Sequence, residues 1–389
     1  MQVTAQEIAA IYQGEQAADT KARTLEDVPG RYEAITTEWL TAVLCRATSG
    51  AQVTDFRISD RSDGSSNRAR IHLSYNDAGQ KAGLPATVFC KGSMVMKNRV
   101  LQGLCSGYRG ETMFFLNARD RLGIETPQHI HAACDNKSYA YIIVMKDLAG
   151  PAANPAHFCN DKTPINRAQA EKIVNTLAKM HSTFYESPEL GTASLPFKTW
   201  PQFWTGTLNS FPGFAEACDK AFVLAKDVIP PRFFARQAEV WPATLASVER
   251  HNSLPKMLVH CDVHLGNWYI AGNGDLGLTD WQAVSIGHWT RDFAYAISTT
   301  LAIEDRRAWF DDLLRMYIDK MLGYGAPCLS YDDALFNIRQ QLMTALAYWT
   351  ITLVPAPGMP DMQPPAITIE LVKRISAMID DLDALDAFK

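Results

Sequence analysis

The sequence predicts an α+β fold, with a mixed helix-and-strand lobe over residues 1–148 and a larger, mainly helical lobe over 149–389. Three observations carry this. Short runs rich in β-branched and aromatic residues crowd the first part. Apolar residues at helical spacing dominate the second. Between them, residues 148–164 (LAGPAANPAHFCNDKTP) hold so much Pro, Ala, Gly and Asn that they read as a connection.

In the first lobe, residues 56–62 read as a strand, Asp63-Gly64-Ser65-Ser66-Asn67 as a turn and 69–75 as the returning strand. Ala86-Thr87-Val88-Phe89-Cys90-Lys91 is a short apolar run that ends on a lysine. A helical pattern follows over 110–122, with Met113, Phe114, Leu116 and Ala118 apolar and Glu111 near its start. The strongest strand signal is YAYIIVM, residues 139–145. In the second lobe, Ala170, Ile173, Val174, Leu177, Met180, His181 and Phe184 recur at helical spacing. Ile367, Leu371, Ile375, Met378, Ile379, Leu382 and Leu385 do so near the end. The exception is 267–281 (NWYIAGNGDLGLTDW), two apolar runs around Asn273-Gly274, a pair suited to the positive φ of a tight hairpin turn. One hairpin is therefore expected within a helical lobe. A cleft between lobes is the natural place for a ligand.

Composition narrows the function classes. With 389 residues, 47% hydrophobic and 20% charged, the chain is an ordinary globular one. The net charge of −5 argues against general affinity for nucleic acid or anionic membranes. No apolar run approaches the roughly 20 residues that span a bilayer. The start, MQVTAQEIAAIYQGEQAADTKAR, has no apolar signal core, so a cytoplasmic protein is expected. The eight cysteines are scattered without Cys-x-x-Cys, as buried free thiols would be in a reducing compartment. Nothing in the pattern fixes an oligomeric state.

The chemistry concentrates in Leu258-Val259-His260-Cys261-Asp262-Val263-His264-Leu265-Gly266-Asn267, followed by Asp280 after the hairpin. Phosphoryl transfer needs one carboxylate to orient the acceptor hydroxyl and take its proton. It also needs an amide and a second carboxylate to hold Mg²⁺. A hairpin that folds back on itself can set Asn267 and Asp280 side by side. His260-x-Asp262-x-x-x-x-Asn267, the hairpin and Asp280 together resemble the aminoglycoside phosphotransferase and choline-kinase-like superfamily, a small-molecule branch of the protein-kinase-like fold. Asp280-Trp281-Gln282, in place of Asp-Phe-Gly, and Gly287-His288-Trp289-x-Arg291-Asp292-Phe293-Ala294 resemble its ecdysteroid-kinase-like branch.

The resemblance implies a two-lobe kinase fold, an ATP- and Mg²⁺-dependent phosphotransferase, and a small-molecule alcohol as acceptor. It implies that Asp262 is the catalytic carboxylate and that Asn267 and Asp280 are metal ligands. Lys91 would pair with the α- and β-phosphates, oriented by Glu111; a strand-end lysine reaching water and a helix-start glutamate are the rival readings. Backbone groups around Met145, Lys146 and Leu148 would meet the adenine edge. Asp63-Gly64-Ser65-Ser66-Asn67-Arg68 departs from the Gly-x-Gly-x-x-Gly pattern of protein kinases; Ser65 and Ser66 cover phosphates there, or the segment is a plain hairpin turn. His260 would order the catalytic loop, Arg291 and Asp292 would brace it, and His181 reads as a core histidine.

The acceptor is less determined. Trp200, Phe203, Trp204, Phe211 and Phe214 either wall an acceptor pocket, suiting a flat alcohol or a quaternary ammonium, or form helical core. Two other functions compete. His260, Asp262 and His264, with Asp280 and His288, offer ligand types for a metal-dependent hydrolase. A kinase-like nucleotide-binding module without turnover is the other.

Overall fold

A computed structural model of the chain describes residues 3–150 and 154–389, so residues 151–153 of the expected connection lie outside the described residues. The chain divides into two compact units. One comprises Met1–Leu116 and Pro127–Ala156, the other Asn117–Thr126 and His157–Lys389.

Strands β1 (Val53–Asp63), β2 (Asn67–Tyr75), β3 (Thr87–Gly92), β4 (His129–Cys134) and β5 (Tyr141–Lys146) form one antiparallel sheet in the first unit, in the order β1-β2-β3-β5-β4. Helices α1 (Ala5–Ala17) and α2 (Thr37–Leu44) precede it, and α3 (Asp77–Lys81) joins β2 to β3. Helices α4 (Met96–Cys105) and α5 (Gly107–Met113) follow β3. Strand alternation sends Ala69, Ile71, Val88, Cys90, Ile142 and Val144 into one buried cluster with Trp39, Leu40 and Val43 of α2. The residues before β1 therefore cover a sheet face. Lys91, next to Cys90, points to the other face.

The expected helix over 110–122 is three pieces: α5, a π-helical turn at Phe114–Ala118, and α6 (Arg119–Leu122). Phe114 and Phe115 within the π turn are both buried, and a single turn of this kind interrupts an otherwise α-helical run. The strand expected from 139 begins at Tyr141, because Tyr139 takes a left-handed conformation (φ 59°).

In the second unit, helices α7 (Arg167–Thr183), α8 (Trp200–Ser210), α9 (Phe214–Leu224), α10 (Pro231–Phe234) and α11 (Gln237–Arg250) precede the site; α12 (Thr290–Thr300), α13 (Ile303–Gly323), α14 (Tyr331–Leu353) and α15 (Pro365–Asp381) follow it. Every residue of α12 is buried, with α7, α13, α14 and α15 packed on it. The single expected hairpin is corrected to two small sheets. Strand β6 (His157–Phe158) adds to the hairpin of β8 (Trp268–Ile270) and β9 (Leu276–Leu278), while β7 (Met257–Val259) pairs with β10 (Ser285–Gly287). Strands of two or three residues are too short for alternation to show. The hairpin turn is looser than a two-residue Asn-Gly turn: Ala271 N–H donates to Asp275 C=O and Gly274 N–H to Ala271 C=O, both at 2.8 Å, with Gly274 at φ 83°.

Trp200, Trp204, Phe211 and Phe214 are buried and Phe203 is half-buried, so all but one of these aromatics belong to the core. Trp204 stacks on Tyr348 of α14 at 5.6 Å between ring centres. All eight cysteines are free, but only Cys45, Cys90, Cys159, Cys218 and Cys261 are buried; Cys328 is exposed, contrary to the expectation of buried thiols throughout. Among the described residues, no helix is long and apolar enough to cross a membrane.

Burial lowers His131, in the first unit, and His251, in the second, to about 4 from an ordinary value of 6.5. The folded rings hold a proton less readily than the unfolded ones. Stability is therefore complete above about pH 6.5 and declines toward pH 4, by up to ~1.4 kcal/mol per pH unit for each ring. Urea unfolding at neutral pH and at about pH 5 checks this; equal midpoints would contradict it.

Candidate active site

Strand β7 runs into residues 260–267 through a strained corner. Cys261 adopts a left-handed conformation (φ 67°), which costs a non-glycine residue about 1–3 kcal/mol. Two neighbours at the start of α12 hold it there. The buried Asp292 carboxylate accepts the His260 N–H at 2.7 Å and the Cys261 N–H at 2.8 Å. Arg291 Nη2 donates to the Cys261 carbonyl at 3.1 Å. His181 Nε2 reaches Asp292 Oδ2 at 3.1 Å, and the Tyr317 hydroxyl meets His181 Nδ1 at 2.8 Å. Burial pushes the Asp292 carboxyl up, but the His181 bond and charge and the His260 contacts outweigh it, leaving it below its ordinary value and ionised at neutral pH. The Arg291 guanidinium is buried over the ring of Tyr295 at 4.4 Å, with Trp200 and Tyr348 both at 5.1 Å.

Beyond the corner, Asp262 is partly exposed. One carboxylate oxygen accepts from the Tyr295 hydroxyl at 3.0 Å and the other from Asn267 Nδ2 at 3.2 Å. Asn267 Nδ2 also donates to the Asp262 backbone carbonyl at 2.7 Å. Burial, then the charge of Asp262, drives the Tyr295 phenol well above its ordinary value, so it remains a donor. The β8–β9 pairing sets Thr279 beside Asn267, the Thr279 N–H donating to the Asn267 carbonyl at 2.8 Å, and Asp280 follows directly. Asp280 sits at φ 64°, ψ 65°, and its Oδ1 accepts from Gln282 Nε2 at 2.8 Å.

His260 joins the loop to the hairpin. Its Nδ1 accepts the Asp262 N–H at 3.1 Å, so the ring proton lies on Nε2 and is donated to the Thr279 carbonyl at 2.8 Å. Burial lowers this ring, favouring the neutral form. Trp281 packs 4.4 Å from it, ring centre to ring centre, and donates its own Nε1–H to Thr126 Oγ1 at 3.0 Å. His264 Nδ1 accepts the Gly266 N–H at 3.1 Å, and its ring lies edge-on to Trp349 at 5.1 Å. A Cβ at Gly266 would come within 2.9 Å of that ring, so the close approach requires glycine. With both His260 nitrogens engaged inside the loop, His260, Asp262 and His264 do not offer a hydrolase metal site. Among the described residues, no group of three His, Cys, Asp or Glu side chains is arranged to hold an ion.

In the first unit, Lys91 Nζ donates to Glu111 Oε1 at 2.8 Å with both side chains buried. Met145 is buried in β5. The Lys146 N–H donates to the Gln128 carbonyl at 2.9 Å, and the Leu148 carbonyl accepts the Ala156 N–H at 2.7 Å. Between them, Asp147 pairs with Arg70 Nε at 2.6 Å. Ser66 is buried and Ser65 half-buried in the β1–β2 turn.

The model of the phosphotransferase enzyme family (APH) matches residues 108–328, more than half of the chain. The chain belongs to this family. No curated protein matches its sequence. Among solved structures, the amicoumacin kinase in complex with AMP-PNP, Ca²⁺ and its ligand is similar at 11% identity and a TM-score of 0.52, over 85% of this chain and 90% of that one. The ethanolamine kinase of Plasmodium vivax is similar at 11% identity and a TM-score of 0.49, over 85% and 83%. A choline kinase of Streptococcus pneumoniae is similar at 13% identity and a TM-score of 0.41, over 73% and 80%. The fold is the protein-kinase-like α+β one, with an antiparallel sheet in the N-terminal part and helices in the C-terminal part.

Within this phosphotransferase, sequence reasoning missed Tyr295. The available signal was its spacing: three residues after Asp292, it falls on the same face of α12 as the residue that holds the loop. It also missed Asn98 and Gln102, polar residues within otherwise ordinary runs, and read Asn67 only as a residue of the turn. Replacing Asp292 by Asn puts an amide where two backbone N–H groups need acceptors. Asp292→Asn is expected to destabilise the second unit by about 3 kcal/mol. Denaturant titration of the purified variant measures it, and a loss under ~1 kcal/mol would show that the corner does not depend on the carboxylate.

Proposed function

We propose that the protein transfers the γ-phosphate of ATP to a hydroxyl of a small molecule, with Mg²⁺ bound to the nucleotide. The single observation behind this reading is the environment of Asp262. Its carboxylate is oriented on both oxygens, by Tyr295 and by Asn267, yet remains partly open to solvent. A carboxylate so held is suited to orient an incoming hydroxyl and accept its proton late in transfer. Asn267 and Asp280 offer hard oxygen donors. Because the Asn267 Nδ2 is engaged with Asp262, the amide turns its oxygen the other way, which fits an oxygen-preferring divalent ion. Bound there, Mg²⁺ supplies neutralisation of the phosphate charge.

Lys91, paired with Glu111, serves the α- and β-phosphates, where a fixed ammonium stabilises charge without reorganising. Ser65 and Ser66 cover the phosphates. The adenine edge meets backbone groups around Met145, Lys146 and Leu148. The nucleotide analogue and divalent ion in the amicoumacin kinase structure support ATP and metal use. The Asp280-Trp281-Gln282 sequence keeps the ecdysteroid-kinase-like branch as the proposed place within the family. The cytoplasm, where ATP is at hand, is the proposed location.

The test is ATP turnover with Mg²⁺ and a panel of hydroxylated small molecules. Asp262→Asn should lower kcat by about 10²–10⁴-fold while nucleotide binding persists. Equal turnover in variant and wild type would remove Asp262 from the mechanism. Tyr295→Phe, which frees one carboxylate oxygen, should lower kcat about tenfold and leave KM for the acceptor unchanged. An effect confined to KM would place Tyr295 in substrate binding.

A further inference from the structure

The β1–β2 turn has a single glycine, Gly64, where a flexible phosphate-covering loop has three, and three buried amides in and around it hold it. Asn67, at the start of β2, is the centre of the arrangement. Its Oδ1 accepts the N–H groups of Met94 and Val95 at 2.7 and 3.0 Å, the residues that lead into α4. That helix has no side-chain cap of its own, so a strand residue supplies the acceptor. Asn67 Nδ2 donates to Asp63 Oδ1 at 2.5 Å and to Asn98 Oδ1 at 3.0 Å. Asn98, in the first turn of α4, donates its Nδ2 to the Gly64 carbonyl at 2.7 Å. One turn further along the helix, Gln102 Nε2 donates to the Ser65 carbonyl at 2.8 Å. Asn67, Asn98 and Gln102 are all nearly inaccessible, at 1%, 1% and 3% exposure.

Two consecutive carbonyls of the turn are thus drawn toward α4. In a trans peptide the N–H lies opposite the C=O, so the N–H groups of Ser65 and Ser66 face away from the helix together. That polarity suits an anion such as the phosphates of a nucleotide. We propose that Asn98, Gln102 and Asn67 are positioning residues for nucleotide: they hold the 63–67 turn in one shape that covers phosphates, replacing glycine flexibility with a preformed cradle. This rests on the reading of Ser65 and Ser66 as nucleotide-covering. The benefit is in binding. A turn ordered beforehand loses less conformational freedom when the nucleotide arrives, and the chemistry at Asp262 is untouched.

The experiment compares wild type with Asn98→Ala and Gln102→Ala, by amide hydrogen exchange of residues 63–67 without nucleotide and by steady-state kinetics with MgATP. Gln102→Ala removes a single bond to the turn and serves if Asn98→Ala does not fold. Exchange in the turn is expected to rise about fivefold or more, and KM for MgATP about five- to tenfold, with kcat within about twofold. Unchanged exchange and unchanged KM in a folded variant would overturn the proposal while leaving the phosphotransferase reading in place. A fall in kcat at constant KM would overturn it too, since the turn would then act on the chemical step. Wild-type protein that binds no MgATP would overturn the phosphotransferase reading, and this proposal with it.

Discussion

One buried carboxylate governs the geometry of the second unit. Asp292 has lost its water completely, a cost of several kcal/mol that only well-directed donors can offset. It has three: two successive backbone N–H groups of the 260–267 loop and the ring of His181. Because both backbone donors must reach one carboxylate, the chain has to turn sharply at Cys261, and the left-handed conformation there follows. The same helix then contributes Arg291 to the Cys261 carbonyl and Tyr295 to the Asp262 side chain. Three residues of α12 thus hold the loop at three successive points, and a helix buried along its whole length is a rigid place to hold it from.

The loop passes this order on to the hairpin through His260. With one nitrogen accepting from the Asp262 backbone and the other donating to Thr279, the ring can occupy only one tautomer and one orientation. Asn267 makes the parallel connection, its side chain on Asp262 and its carbonyl on Thr279. Asp262 and Asp280 are therefore linked by two short polar routes and by the packing of Trp281 on His260. Polar networks of this kind, largely withdrawn from water, select one geometry. The first unit uses the same principle in a different form, where Lys91–Glu111 and the amides of Asn67, Asn98 and Gln102 fix positions that apolar packing alone would leave loose.

What could be read in advance depended on how local the cause was. The alternation of β2 and the apolar run of β5 were legible because one or both faces are buried along the strand's length. The segment 258–267 was legible because a carboxylate and an amide five residues apart, followed by a hairpin, form a pattern of residue types at fixed spacing. The π turn at Phe114–Ala118 was not, since an α-helix and a π bulge share the same apolar pattern. Nor was the pairing of β7 with β10, whose three-residue strands carry no period. The two readings of the Trp200–Phe214 aromatics were equal in sequence; the stacking of Trp204 on Tyr348, over a hundred positions away, decided for core.

By itself, the sequence determined the α+β class, the order of the elements and the residue types from Lys91 to Asp280 that point to phosphoryl transfer. These are consequences of periodicity and of side-chain chemistry, and both are carried residue by residue along the chain. Only the tertiary structure decided that Tyr295 holds Asp262, that Asp292 forces the corner at Cys261 and that α4 holds the β1–β2 turn. Each is a hydrogen bond between residues distant in sequence. Its strength comes from exclusion of water, which no residue carries until the chain has folded around it.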